Sequence, residues 1–241
     1  MKMISTEAAR LRRAPGHLLT IILYFIITMG GFYHYMISHD ALKTLPQLLA
    51  VMYNGPAYCL LTVVIGLHIS SFMHLDQKQG ETAMLVSTLK DKGKLIFARF
   101  YALAFRLLLG QLITTGIVLG MIVFGMHIEC DEPFYALLVF IEVYLTYLFV
   151  ASFSMLVNLL CKDEIFANVV IIIFALIPVG AYTLLNMTNI DLTGVLVSAT
   201  FYELMKDVTI YQGLLASLLA LLYTCACLLI GGIVMRSREI S

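Results

Sequence analysis

The stretch His74-Leu-Asp-Gln-Lys78-Gln-Gly80-Glu81-Thr82-Ala-Met-Leu85-Val-Ser87-Thr88-Leu89-Lys90-Asp-Lys92-Gly-Lys94-Leu-Ile-Phe-Ala-Arg99 is a polar, mainly basic segment between two apolar runs. Pro56 to Met73 precedes it and Phe100 to Gly125 follows it. Each run has about the 20 residues that a helix rising 1.5 Å per residue needs to cross hydrocarbon. The segment therefore reads as a loop on one side of a membrane, and the sign of its charge fixes which side.

Twelve of the fifteen Lys and Arg residues lie in this segment or in Lys2 to Arg13, Lys162 and Arg236 to Arg238. The alternate gaps hold only Lys43 and Lys206, and Arg106 lies inside an apolar run. Such an asymmetry places the basic gaps in the cytoplasm. It predicts an all-α polytopic protein with six crossings and both termini cytoplasmic, in the cell membrane. The other four crossings are Leu18 to Ile37, Phe134 to Leu160, Ile165 to Leu185 with a kink at Pro178, and Gly213 to Met235.

The composition agrees. Hydrophobic residues make up 61% of the chain, charged residues only 12%, and mean hydropathy is +0.95. Soluble domains carry about 25% charge, so only a bilayer accommodates this much apolar surface. Net charge is zero and no basic patch points to nucleic acid. Five cysteines make no disulfide framework. Cys59, Cys225 and Cys227 lie in apolar runs, Cys161 in an inner turn and Cys130 in an outer loop, so all five read as thiols. The charged N-terminus and the length of the run after it exclude a cleavable secretory signal.

One membrane domain, 1–241, is expected. Residues 1–17 read as an interfacial helix ended by Pro15-Gly16, 74–99 as the cytoplasmic segment and 186–212 as an outer helical segment. A helix over Leu48 to Tyr53 is expected to break at Asn54-Gly55-Pro56. Tyr and Phe gather at crossing ends, as in Phe32-Tyr33 and Phe134-Tyr135.

Catalytic signatures are absent: the chain has no His-Glu-x-x-His, Gly-x-Ser-x-Gly or P-loop pattern. Work driven by ATP would need a partner that holds the ATP and Mg, and this chain is expected to hold no cofactor itself. His127, Glu129 and Asp131 alternate in the outer loop, too short and mobile a set to argue for a metal.

Within the cytoplasmic segment, Glu81 complements the positive end of a short helix, and Lys90, Lys92 and Lys94 lie beyond its other end. Leu85 and Leu89 share a stripe with Thr82 beside them. Such a helix either docks into a cytosolic partner or floats on headgroups.

Glu142 lies about eight residues into the fourth crossing, roughly 12 Å deep. An ionisable group there marks a candidate functional site, with pairing inside the bundle as the simpler reading. Arg106, about 10 Å in from the inner edge, reads as snorkelling to headgroups, with gating as the alternative. Tyr144, Tyr147, Phe149 and Phe153 are candidates for an aromatic substrate path, with core packing as the alternative. Gly116 and Gly120 make a small-residue stripe, read as packing within the subunit, with dimer contact as the alternative.

Gly80-Glu81-Thr82, Leu85, Ser87-Thr88 and Arg99 resemble the first coupling helix of ABC-2-type transporter permeases. In that family an acidic residue and Thr precede a leucine stripe, a Ser-Thr-Pro turn and a basic residue opening the next crossing. This chain departs in having Leu89 where the family often has Pro. The resemblance runs along the whole chain: elbow, six spans, outer hairpin, basic tail. In size it is similar to small permeases of bacterial peptide exporters, such as the phenol-soluble-modulin exporters. The resemblance implies a permease without enzymatic activity of its own, paired with a second copy or a paralogue and with two cytosolic ATPase subunits. Coupling would run through Gly80, Glu81, Thr82, Leu85 and Leu89, together with the turn Lys162, Asp163 and Glu164. The implied activity is export by alternating access. An amphipathic or cationic peptide suits the apolar, aromatic interior; drugs, lipids or glycans are other cargoes of the superfamily. An ATP-independent channel, a secondary transporter and an intramembrane enzyme are the rival classes.

Overall fold

The computed structural model describes residues 2–13, 17–38, 45–53, 56–78, 93–121, 133–161, 163–188 and 210–237. They form eight helices and, among the described residues, no strand. The helices are α1 (Lys2–Arg13), α2 (His17–Ser38), α3 (Leu45–Tyr53), α4 (Pro56–Lys78), α5 (Gly93–Met121), α6 (Pro133–Leu160), α7 (Glu164–Thr188) and α8 (Ile210–Ser237).

Helix boundaries follow local chemistry. Proline opens α4 at Pro56 and α6 at Pro133, where its fixed φ and missing N–H cost nothing. The break expected at Asn54-Gly55-Pro56 separates α3 from α4, and α3 begins earlier than Leu48, at Leu45. At the start of α7, Asp163 Oδ1 accepts a hydrogen bond from the Ile165 amide at 3.0 Å, an N-terminal cap, and Glu164 occupies the first turn beside the positive helix end. Helix α7 runs through Pro178 without a break in its assignment.

Among the described residues, four helices are long and apolar enough to cross a membrane: Ala57–His74, Gly93–Met121, Pro133–Leu160 and Gly213–Ser237. The pair Thr6–Arg12 and His17–Tyr33, bent by 78°, raises the number to five if it is one span. Glu164–Ile177 is a shorter apolar stretch by the same test. Large apolar side chains face outward around these helices, among them Leu18 at 70%, Ile165 at 73% and Ile233 at 65% exposure. Water would penalise such a surface and lipid does not. The fold is that of a helical membrane protein.

Helix α6 is the hub. It packs most extensively on α8 and also touches α3, α4, α5 and α7. Small residues permit the α6–α8 contact: Gly213, Ala216, Ser217, Ala220 and Thr224 are all buried on α8. A Cβ on Gly213 would come within 2.9 Å of Leu138 Cδ2. Helix α2 approaches α3 just as closely, for a Cβ on Gly31 would meet the Met52 carbonyl oxygen at 2.8 Å. The expectation for Gly116 and Gly120 is corrected: a Cβ at either would meet nothing within 4 Å among the described residues. The close approaches fall at Gly31 and Gly213 instead.

Helix α1 lies against α5 and is joined to it by charge. Glu7, 1% exposed, accepts from Arg99 Nε at 3.3 Å and from Arg10 at 2.8 Å. Arg99 is 2% exposed, donates to Met73 Sδ at 3.3 Å and stands 5.7 Å over the Phe72 ring. The cation thus rests on a carboxylate, a sulfur and an aromatic face.

Candidate functional site

The sequence-derived candidates do not converge on one place. Glu142 faces the α6–α8 contact, is 0% exposed, and has no hydrogen-bond partner at either carboxyl oxygen among the described residues. Its Oε2 lies 3.5 Å from where a Cβ on Gly213 would stand. Thr146, one turn along α6, and Ser217, one turn along α8, also carry unpartnered buried hydroxyls. The result is a seam of small and polar groups at the tightest helix pair.

The aromatic candidates divide by direction. Tyr147 turns to α3, donating to the Tyr53 carbonyl at 2.8 Å, with Tyr53 and Tyr58 rings 6.3 and 6.0 Å away. The Tyr53 hydroxyl in turn shares hydrogen bonds with Thr114 at 2.7 Å and Thr115 at 3.2 Å. Tyr144 turns to α5 and donates to the Ala104 carbonyl at 3.1 Å. Phe149 and Phe153 do meet, and they pack with Phe174 of α7 and Tyr223 of α8. The stacked Phe153–Phe174 pair has centroids only 4.0 Å apart. All four aromatics are held within the bundle, in three directions, and none of them lines the cavity between α1, α2, α4 and α5.

That cavity lies elsewhere. It holds about 520 Å³ at the corner of α1, α2, α4 and α5. Ile21, Tyr24, Phe25, Ile65, Leu109 and Ile113 supply apolar wall, and Arg12, His17, His68 and Arg106 supply polar wall. Arg106 Nη1 donates to His68 Nε2 at 3.2 Å, and Nη2 to the His17 carbonyl at 3.4 Å. Helical side chains lean toward the N-terminal end, so Arg106 on α5 leans back toward the Gly93 end and the start of α2. This is the direction a snorkelling arginine takes. The His17 and His68 rings are stacked at 6.2 Å between centroids.

Asp163 and Glu164 cap and open α7, as described above. Gly80, Glu81, Thr82, Leu85, Leu89 and Lys162 lie outside the described residues, as do Cys130, His127, Glu129 and Asp131. So does the outer segment from residue 189 to 209. Cys59, Cys161, Cys225 and Cys227 are free thiols. Among the described residues no group of three or more His, Cys, Asp or Glu is placed to hold a metal ion.

Sequence reasoning missed the cavity because four helices build it. Its only local signal was Arg106; His17 and His68 are lone histidines, 51 positions apart by their numbers. Neither a family model nor a curated protein matches the chain.

Proposed function

We propose that this chain is the six-span transmembrane subunit of an ATP-driven exporter of the ABC-2 type, with both termini cytoplasmic in the cell membrane. Its cargo is an amphipathic or cationic peptide. Two copies, or this chain and a paralogue, form the pathway, and each docks one cytosolic ATPase through Gly80 to Leu89 and the turn at Lys162. ATP and Mg stay on those subunits.

The observation that carries this reading is the attachment of α1. An amphipathic N-terminal helix, bent by 78° from the next helix, is clamped through Glu7 to Arg99. Arg99 stands in the second turn of α5, directly after the polar segment 79–92. Force delivered to that segment by a partner passes into α5 and α1 together, which is what an elbow and a coupling helix require. The sequence order of Glu81-Thr82, the leucine stripe and Arg99 supports the same assignment.

Glu142 favours a second reading. A buried, unpartnered carboxyl inside a helix bundle is also what a proton-coupled secondary transporter uses. One experiment separates the two: the chain is co-expressed with an ATPase subunit from its own genome, purified and placed in vesicles. Cargo-stimulated ATP hydrolysis and ATP-dependent peptide uptake into inside-out vesicles support the exporter. Uptake driven by a pH gradient alone, with no ATPase retained on the chain, overturns it.

A further inference from the structure

We propose that the cavity between α1, α2, α4 and α5 is a binding site for an anionic membrane phospholipid, with the phosphate on Arg106, Arg12 and the histidines and an acyl chain along the apolar wall.

The polar end of the cavity is rich in donors and poor in acceptors. Arginine only donates, so in its contact with Arg106 the His68 Nε2 is the acceptor. In a neutral ring the proton then sits on Nδ1. His68 is 8% exposed and that Nδ1 has no hydrogen-bond partner among the described residues. His17 Nδ1 is buried and, among the described residues, has no partner either. Arg106 uses two of its nitrogens, on His68 and on the His17 carbonyl, and a guanidinium offers five N–H groups. Arg12 is near enough for its charge to oppose that of Arg106. No carboxylate lines the cavity, and among the described residues neither arginine has an acidic partner. Two cations on one cavity wall, with a His68 ring N–H that meets no acceptor among the described residues, complement an anion with several oxygens.

The remaining wall selects an amphiphile. From Arg106 to Ile113 the apolar lining of α5 runs about 10 Å along the helix. Side chains at the mouth face outward: Ile21 is 49%, Phe105 62% and Ile113 60% exposed. The cavity therefore opens sideways between α2 and α5, toward hydrocarbon. A lipid enters from its leaflet without leaving the membrane, and basic pockets between membrane helices hold anionic headgroups. A cationic peptide is repelled by the same end, so this site differs from the cargo path proposed above and does not depend on it.

The test uses the full chain in neutral detergent. Phosphatidylglycerol, phosphatidylcholine and inorganic phosphate are added in turn; retained lipid is counted by native mass spectrometry and melting is followed in parallel. The site predicts retained phosphatidylglycerol with a raised melting temperature, and at least severalfold less phosphatidylcholine. Arg106→Gln should lower phosphatidylglycerol retention about tenfold, the worth of one charge-assisted contact. Should Arg106→Gln fail to fold, Arg12→Gln, at an exposed position, gives the same reading with a smaller drop. Gly110→Leu fills the tail end beside Tyr24 and should also reduce retention. Equal retention of the two lipids, stabilisation by phosphate alone, or undiminished phosphatidylglycerol on Arg12→Gln and Gly110→Leu would overturn the proposal.

Discussion

Glu7 and Arg99, 92 positions apart, meet at 3.3 Å in a setting where both side chains are almost wholly buried. The contact unites the first helix of the chain with the start of α5, and so sets the angle at which α1 leaves the bundle. A buried pair is weak evidence for net stability, but separating it is expensive because a charge is stranded, typically about 3–5 kcal/mol.

Glu7→Gln and Arg99→Gln should therefore each reduce the folded, monodisperse fraction in detergent and lower its melting temperature. The double substitution should lose less than the sum, with a coupling energy of about 1 kcal/mol or more. Additive losses would mean that α1 is held by its apolar face, centred on Leu11, and that the ion pair is incidental.

Neighbouring glycines on α2 give a sharper test of packing. A Cβ on Gly30 meets nothing within 4 Å, whereas one on Gly31 meets the Met52 carbonyl at 2.8 Å. Gly→Ala in an open helix position gains up to about 1 kcal/mol of helix propensity. Gly30→Ala should be neutral or stabilising. Gly31→Ala should cost about 1–3 kcal/mol by prising α2 from α3. Melting of the two variants side by side measures the difference, and equal behaviour would mean that α2 and α3 are not in contact.

Glu142→Gln keeps the shape of the side chain and removes its charge. The α6–α8 contact that encloses it is built of small residues, so the variant should fold and assemble as the parent does. Export should nevertheless slow or change its dependence on the driving force, because an unpartnered buried carboxyl is retained at a cost. Unchanged export kinetics would make Glu142 a tolerated packing residue.

Much of the architecture was legible because a bilayer imposes one strong rule. Long apolar runs gave α2, α4, α5, α6, α7 and α8, and Asn54-Gly55-Pro56 gave the α3–α4 break. What joins these helices was hidden. Glu7 looked like one charge of a basic surface helix, and Arg99 like the basic residue opening a crossing. Their pairing is a tertiary fact that no spacing rule carries. The same holds for the corner of Arg106, His17 and His68. The Gly116–Gly120 stripe misled for the opposite reason: small residues permit a close approach without requiring one.

Membrane orientation is testable through two cysteines. Cys161 follows α6 directly and is a free, partly exposed thiol. The lysine and arginine pattern predicts a cytoplasmic Cys161 and an external Cys130. An impermeant maleimide on intact cells should label Cys130 and reach Cys161 only after permeabilisation. The reverse order would invert the topology and remove the proposed ATPase contact from the cytoplasm.

The coupling segment is the part of the functional proposal that rests on the sequence order alone. A helix that transmits force presents an apolar ridge to a groove on the ATPase, with charges at its rim fixing register. By its sequence position Leu85, flanked by Met84 and Val86, is the expected ridge residue, and in the proposed complex Glu81 would meet a basic group of the partner. Truncating a buried interface anchor commonly costs about 2 kcal/mol or more, roughly thirtyfold in affinity. Leu85→Ala combined with Glu81→Ala should thus weaken ATPase retention on the purified permease by at least that factor, or leave hydrolysis running without export. The folded yield should be unchanged, because the α1–α5 clamp at Glu7 and Arg99 remains intact. Pull-down and transport measured in the same membranes decide the matter. Full retention with full export in the double variant would make Gly80 to Leu89 a solvated connection, and the exporter reading would lose its support from the sequence order of that segment.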